Sequence, residues 1–407
     1  MSESCSVVFV DDDMNVLNGL RRMLRDMRGE WDMSFFNSAP AALAHMESHP
    51  VRVVVTDMRM PVMDGAELLT RVRDLYPDTI RIVLSGFAQR EAAMRTVGPS
   101  HQYLSKPCDP AVLANVIRRA LGLRRLLKSE ELRQAVTAMG PLPSPPHSFA
   151  AMLSELESED ASAASLAATI EHDTAVVAQL LKLTNSAYFG LASRVSNVET
   201  AIQMLGFETV KALFLMSGLF GQFTGPADLA SMMERVGERS LKISLIARRL
   251  AETEGFSSYA IGDAACAALL SHIGTIVLMA RRPEAFRALS LDLDRGTGTL
   301  QKEELLRFGA SHAAVGAYLL GLWGFNYNIV EAVAYHHQPA ASEVHQPGAL
   351  ALLHVAQALA VAEHNPALLD GPLAECVDAA FLNRAGLSDR LPTWIAIVRD
   401  LLAQWHR

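Results

Sequence analysis

The chain has 407 residues, half of them hydrophobic, which favours two or three well-cored domains over one. Its net charge of -8 at pH 7 argues against a broad basic surface of the kind that holds nucleic acid. Cys5, Cys108, Cys266 and Cys376 are scattered with no CxxC pair, so no cysteine-held structural zinc is expected and the thiols read as reduced.

The opening MSESCSVVFVDDD runs straight into acidic residues with no secretory leader, and a cytoplasmic protein is expected. SVVFV (6–10) reads as a buried strand and MNVLNGLRRMLRDM (14–27) as a helix. MSFFN (33–37) is a second strand, followed by helical APAALAHMES. VRVVVTD (51–57) is a continuous β-branched run, the mark of a central parallel strand. AELLTRVRDLY is helical, TIRIVLS (79–85) is a fourth strand, and QYLSKP (102–107) is a short last one. DPAVLANVIRRAL (109–121) opens with an Asp cap and a Pro in the first turn of a helix. This alternation predicts an α/β unit with a five-stranded, doubly wound parallel sheet. The basic run Arg118, Arg119, Arg124, Arg125 and Lys128 reads as a solvated helix face.

The helical pattern continues from Leu123 to Met139 and breaks at GPLPSPPHS (140–148), a domain boundary. Beyond it helical periods continue with almost no strand signal, so an all-α bundle follows. Its longest apolar stretch, AACAALLSHIGTIVLMA (264–280), is interrupted by Ser271 and His272 and is short for a membrane span. The last helix, PTWIAIVRDLLAQWHR, carries Trp394, Ile397, Leu401 and Trp405 along one side.

In a parallel α/β sheet chemistry collects at the carboxyl ends of the strands. Those ends carry Asp11 and Asp12 after the first strand, Asp57 after the third, Ser85 after the fourth and Lys106 after the fifth. Carboxylates sharing one hydrated pocket call for a hard cation, Mg2+. A carboxylate beside it can attack a phosphoryl donor, with Lys106 and Ser85 receiving the incoming oxygens. With the words VDDD, VVVTDMRMPVMDG, LSG and YLSKP, residues 5–121 resemble a response regulator receiver domain of flavodoxin-like fold. The resemblance implies Asp57 as phosphoacceptor and Asp11 and Asp12 as the Mg2+-binding acids. It further implies the backbone carbonyl of Arg59 as a third metal ligand, Ser85 and Lys106 as switch hydroxyl and lysine, and Tyr103 as the switch aromatic. A sensor histidine kinase is the implied partner. Gly65 is expected to free the backbone of the turn after Asp57.

Residues 141–345 resemble the HD-related output domain, HDOD, through LPSPP, IEHDTAVVAQLLKLTNSAYFG, VETAIQMLGFETVKALFL, ALLSHIGTIVL and ASHAAVGAYLLGLWGF. Asn185 and Ser186 read as groups that satisfy exposed carbonyls, and Tyr188 and Phe189 as anchors seating the helix on a neighbour. An HD-type hydrolase needs a His, then a His-Asp pair, then further His or Asp around one or two metals. Here His272, His312, His336 and His337 are present. By the resemblance, however, Arg239 stands in place of the first His, Ile273 in place of the Asp, and Gln338 in place of a later acid. A degenerate HD site with no metal in the helical half is therefore expected, with a single Zn2+ or Fe2+ on the remaining neutral imidazoles as the alternative.

The expected organisation is a receiver domain over 1–122, a helical linker over 123–140, an HDOD domain over 141–345 and a helical extension over 346–407. The expected function is a response regulator whose phosphorylation governs protein–protein contact or homodimer formation through a helical half without hydrolytic output. Downstream signalling proteins are the expected partners, with neither nucleic acid nor membrane. The competing readings are a metal-dependent cyclic dinucleotide phosphodiesterase and a half that binds a second messenger without cleaving it, with Arg239 and Arg248 as phosphate ligands.

Overall fold

The computed structural model describes residues 5–85, 99–140, 142–158, 160–185, 195–206, 210, 221–294, 300–343, 346–361 and 377–405. Ser186, Tyr188, Phe189 and Cys376 lie outside them, as do the side chains of Ser85 and Trp405.

The first unit runs β1 (Cys5–Val10), α1 (Met14–Met23), β2 (Trp31–Phe36), α2 (Ala39–Met46), β3 (Val53–Asp57), α3 (Gly65–Leu75), β4 (Ile80–Ser85) and β5 (Gln102–Ser105). All strand pairs are parallel, in the order β2-β1-β3-β4-β5. This is the expected doubly wound sheet. Its apolar strands are buried on both faces because side chains alternate. Val7, Phe9, Val53, Val55, Ile80, Ile82 and Leu84 enter one core, whereas Val8, Val10, Val54, Val83 and Tyr103 enter a second. Reversal of strand order between β1 and β3 brings the ends of those strands to the crevice where function collects.

Helix α4 (Pro110–Gly122) begins as its sequence dictates, with the Asp109 carboxylate accepting from the Ala111 amide and Pro110 in the first turn. The continuous helix expected onward to Met139 is not formed. A short 3-10 turn over Leu123–Leu126 ends in extended Leu127, and α5 (Glu130–Thr137) restarts on the Ser129 hydroxyl. Leu127 is fully buried and anchors the break. Arg124 is not on a solvated face either. With Arg52 and Arg133 it surrounds the Asp78 carboxylate at 2.6–2.9 Å. Burial alone would raise the pKa of Asp78, but the hydrogen bonds from Arg124 and Arg133 outweigh it and lower it.

Among the described residues the remainder is helical apart from one short parallel pairing, Pro143–Ser144 with Gly221–Gln222. The helices are α6 (Pro146–Glu157), α7 (Ala163–Glu171), α8 (Thr174–Thr184), α9 (Val198–Leu205), α10 (Ala227–Thr253), α11 (Ser258–Leu270) and α12 (Ile273–Arg281). They continue with α13 (Pro283–Asp294), α14 (Leu300–Phe308), α15 (His312–Leu322), α16 (Tyr327–Tyr335), α17 (Ala349–Ala360), α18 (Ala379–Arg384) and α19 (Leu391–Trp405). The run Ser258–Arg281 is long and apolar enough to cross a membrane, but 89% of its apolar window is buried inside the protein. Asn185 acts as its sequence suggests: its amide donates to the Leu181 and Val195 carbonyls, and its oxygen accepts from the Val195 amide. On α19 the buried residues are Trp394, Val398 and Leu402, a face rotated from the expected one. The Trp394 indole donates to Glu254 at 2.8 Å, which fixes that rotation.

The two units are in contact. Lys182 Nζ donates to the Ser100 carbonyl at 3.0 Å and lies 4.7 Å from the centroid of the Trp323 ring. The Thr137 and Tyr318 hydroxyls are 2.8 Å apart. One apolar core runs from the sheet through Leu127, Leu132 and Val136 into the helices.

Gly274 marks a close helix crossing. A Cβ there would lie 2.0 Å from the His312 carbonyl oxygen and 2.7 Å from the Gly316 nitrogen, both backbone atoms. Gly274→Ala should therefore cost about 3 kcal/mol, read from urea unfolding. An unchanged midpoint would show that α12 and α15 can separate freely.

Candidate functional site

Two constellations lie where the sequence places chemistry. The first is at the carboxyl ends of β1, β3 and β5. Asp11, 3% exposed, follows β1, and Asp57 ends β3. Lys106 Nζ reaches Asp11 Oδ2 at 2.6 Å and pairs closely with Asp57 Oδ1. One cation therefore stands between two carboxylates from different strands. Burial raises the Asp11 pKa, against the opposing hydrogen bond from Lys106. Burial alone would lower the Lys106 pKa, yet the hydrogen bonds to Asp11 and Asp57 raise it.

The Asp57 carboxylate is also held by the Arg59 amide, which donates to Oδ2 at 2.6 Å. Asp11 Oδ1 accepts from the Asp13 amide, and Asp13 caps α1. Asp12 is exposed beside them. The turn after Asp57 puts its positive φ at Val62, at 71°, and not at Gly65. Gly65 is required for another reason: a Cβ would lie 2.2 Å from the Asp57 carbonyl oxygen. Tyr103 is buried in the second sheet core, 9% exposed. An inward ring is thus already the described state. Ser85 ends β4, beside Ser105 of β5.

The second constellation is the histidine cluster. His272, at the break between α11 and α12, His312, opening α15, and His336, closing α16, are all buried. Their ring centroids lie 5.4–5.9 Å apart. His337 joins them, its Nε2 3.1 Å from His312 Nε2. Burial pushes the His272 and His336 pKa values well below the ordinary range and that of His337 to about 3; the neighbouring His312 contributes in each case. The Arg239 guanidinium adds to the lowering at His272 and His337, so its charge is felt at the cluster, although Arg239 itself is exposed. Ile273 is fully buried and packs beside Gly316.

Glu304, fully buried, is the member the sequence did not mark. It lies in the polar stretch QKEELLRF and accepts from the His312 amide at 2.9 Å, with its oxygens 2.8 and 3.0 Å from His312 Nδ1. Gln357 on α17 is a second, with its amide nitrogen 3.0 Å from His272 Nε2.

Comparison with known proteins separates the two units in the same way. The response regulator receiver domain family matches residues 7–118, and the HDOD domain family matches residues 142–339. The chain carries a receiver domain followed by an HDOD domain. It is a two-component response regulator by this architecture. The receiver region is similar to the hydrogenase transcriptional regulatory protein HoxA of Bradyrhizobium diazoefficiens, 32% identical over 32% of this chain and 27% of that protein. The chain spans less than a third of the length of this and the C4-dicarboxylate transport transcriptional regulatory protein DctD of Rhizobium meliloti, to which it is 31% identical over 140 residues. Among solved structures it is similar to the MmoQ response regulator of Methylococcus capsulatus, 24% identical over 62% of this chain and 97% of that one, with a TM-score of 0.47.

Proposed function

We propose that Asp57 accepts a phosphoryl group from a sensor histidine kinase and that the HDOD domain turns this into a change of protein contact. The observation that supports the reading most is Lys106, held between Asp11 and Asp57 at the strand ends. The donor set fits Mg2+, since hard carboxylate oxygens converge where the protein already holds a cation. Asp11, Asp12, Asp57 and the Arg59 carbonyl are the residues to hold it. When bound, Mg2+ offsets the charge of the incoming phosphoryl oxygens.

An oxygen of Asp57 attacks phosphorus, the P–N bond of the donor phosphohistidine breaks, and its imidazole leaves with a proton. Lys106 stays paired with the resulting acyl phosphate, and Ser85, which ends β4, is the hydroxyl proposed to donate a hydrogen bond to it. The signal passes through direct contact and not along a continuous helix. Gln102 of β5 reaches the Gly321 carbonyl at 3.4 Å, and Ser100 just before β5 is held by Lys182. The output is a docking face for a downstream protein or a second copy of the chain. Hydrolysis of a cyclic dinucleotide is disfavoured because Ile273 and Gln338 offer no bridging carboxylate.

Full-length protein incubated with Mg2+ and acetyl phosphate should gain one phosphoryl group per chain, seen by intact mass. Small-angle scattering with and without beryllofluoride should differ. Uptake of no phosphoryl group, or identical profiles with beryllofluoride bound, refutes the respective half of the reading.

A further inference from the structure

The histidine cluster retains more order than a degenerate hydrolase site requires. One ring nitrogen from each of His272, His312 and His336 lies within 4.8 Å of the other two. The Nδ1 atom of every ring is engaged elsewhere. His312 Nδ1 is 2.8 Å from Glu304, His336 Nδ1 is 2.8 Å from the Val333 carbonyl, and His272 Nδ1 is 3.0 Å from the Ser271 hydroxyl. Carboxylate, carbonyl and hydroxyl groups in these positions fix the tautomer and aim of metal-bound imidazoles. Nε2 of His336 is left for a metal, and the contacts that Nε2 of His272 and His312 make with Gln357 at 3.0 Å and His337 at 3.1 Å are ones an ion would displace.

A second observation is independent of that convergence. His336 donates from Nδ1 to a carbonyl, so its Nε2 is a bare lone pair, and that atom is buried without a partner. A buried polar atom in this state is costly unless something fills the site. Gln357 Oε1 is likewise buried without a partner, on the same amide that touches His272 Nε2.

We propose that His272, His312 and His336 bind a single divalent transition ion of the Zn2+ class through their Nε2 atoms, with the Gln357 amide oxygen available as a fourth ligand. Imidazole donors select Zn2+ and its neighbours over Mg2+. Tetrahedral Zn2+ places its ligand atoms about 3.3 Å apart, within reach of side-chain shifts of about 1 Å from the described positions. One ion fits and two do not, because Ile273 and Gln338 supply no bridging acid and Glu304 is committed to His312. The ion ties the α11–α12 break to α15, to the end of α16 and to α17, so its role is to staple the helical core. In the sequence a single Zn2+ or Fe2+ on these imidazoles is the lesser alternative to a metal-free helical half, which is expected from the residues lost; the convergence of the rings reverses that order. The site does not depend on Asp57 chemistry.

The test uses full-length protein carrying Asp57→Asn, stripped with a chelator and titrated with Zn2+ in excess Mg2+, which separates this site from the acidic pocket. The expected result is one Zn2+ per chain, a rise in Tm of about 5 °C, and with Co2+ the intense visible bands of a tetrahedral nitrogen-ligated ion. His272→Gln and His336→Gln should each abolish binding. Glu304→Gln, which leaves all three ligands in place, should weaken it about 10- to 100-fold, and Arg239→Ala should tighten it by removing a nearby positive charge. If the histidine variants do not fold, the Co2+ spectrum and the Glu304→Gln affinity decide. Folded protein that takes up no stoichiometric Zn2+, or undiminished binding in the folded histidine variants or in Glu304→Gln, overturns the site.

Discussion

Full-length protein carrying Arg81→Met should lose about 3–5 kcal/mol of stability and become sensitive to protease across residues 138–145. Arg81 sits on β4 with its side chain fully buried. Its guanidinium donates to the carbonyls of Pro99 at 2.5 Å, Thr79 at 3.0 Å and Thr137 at 2.7 Å. The first two lie within the receiver, and the third is the end of α5 in the connection. The arginine thus pins the linker to the sheet.

His101 completes the arrangement. Its Nδ1 accepts from the Arg81 amide at 2.9 Å, so Nε2 carries the proton and donates to the Thr137 carbonyl at 2.8 Å. Burial keeps this imidazole neutral, and the Arg81 charge adds to the effect. Methionine fills the volume but supplies no donor, leaving the Pro99 and Thr79 carbonyls without their arginine partner and the Thr137 carbonyl with His101 alone. Each orphaned buried acceptor costs about 1–3 kcal/mol. Tyr318→Phe is the milder companion. It removes the partner of the Thr137 hydroxyl and should cost about 1 kcal/mol. Urea unfolding and limited proteolysis read both. Equal stability and equal cleavage for Arg81→Met would show that the arginine does not pin the linker.

The second large effect is at the acidic pocket. Asp57→Asn should abolish phosphoryl uptake while leaving the fold intact, since it also relieves repulsion with Asp11. Lys106→Met should lower the rate of uptake about 100-fold or more and should destabilise the protein in the absence of Mg2+. Removing the ammonium leaves Asp11, which is buried, facing Asp57 without a cation. Added Mg2+ should then raise the Tm of Lys106→Met more than that of the wild type. Equal Mg2+ responses would show that the lysine and the metal do not answer the same pair of charges.

The sheet was legible from the sequence because buried parallel strands are written as β-branched runs and their ends carry the acids. The start of α4 was legible for a local reason, the Asp109-Pro110 pair. The break at Leu127 was missed although Ser129, followed by Glu130 and Glu131, is itself a helix-start signal. Helical period on both sides hid it. The pairing of Arg124 was invisible because its partner, Asp78, is far away in the chain. Glu304 gave no signal for a different reason: its partner His312 is near in the chain, but a buried acid inside a charged helix looks like any solvated one. The histidines were legible as members of one HD-like site through the resemblance, but the spacing of their rings and the groups that hold each Nδ1 come from the packing of α12 against α15.

The apolar core that continues from one face of the sheet into the helices has a consequence for how this protein can be taken apart. A receiver that joins its output through a loose tether is an interchangeable part. Here Leu127, Leu132 and Val136 belong to both halves at once, so the boundary is a weld. A chain cut at Gly122 should uncover apolar surface on each fragment, and the intact protein should melt as one body. The two halves would then have to be inherited, and to diverge, together.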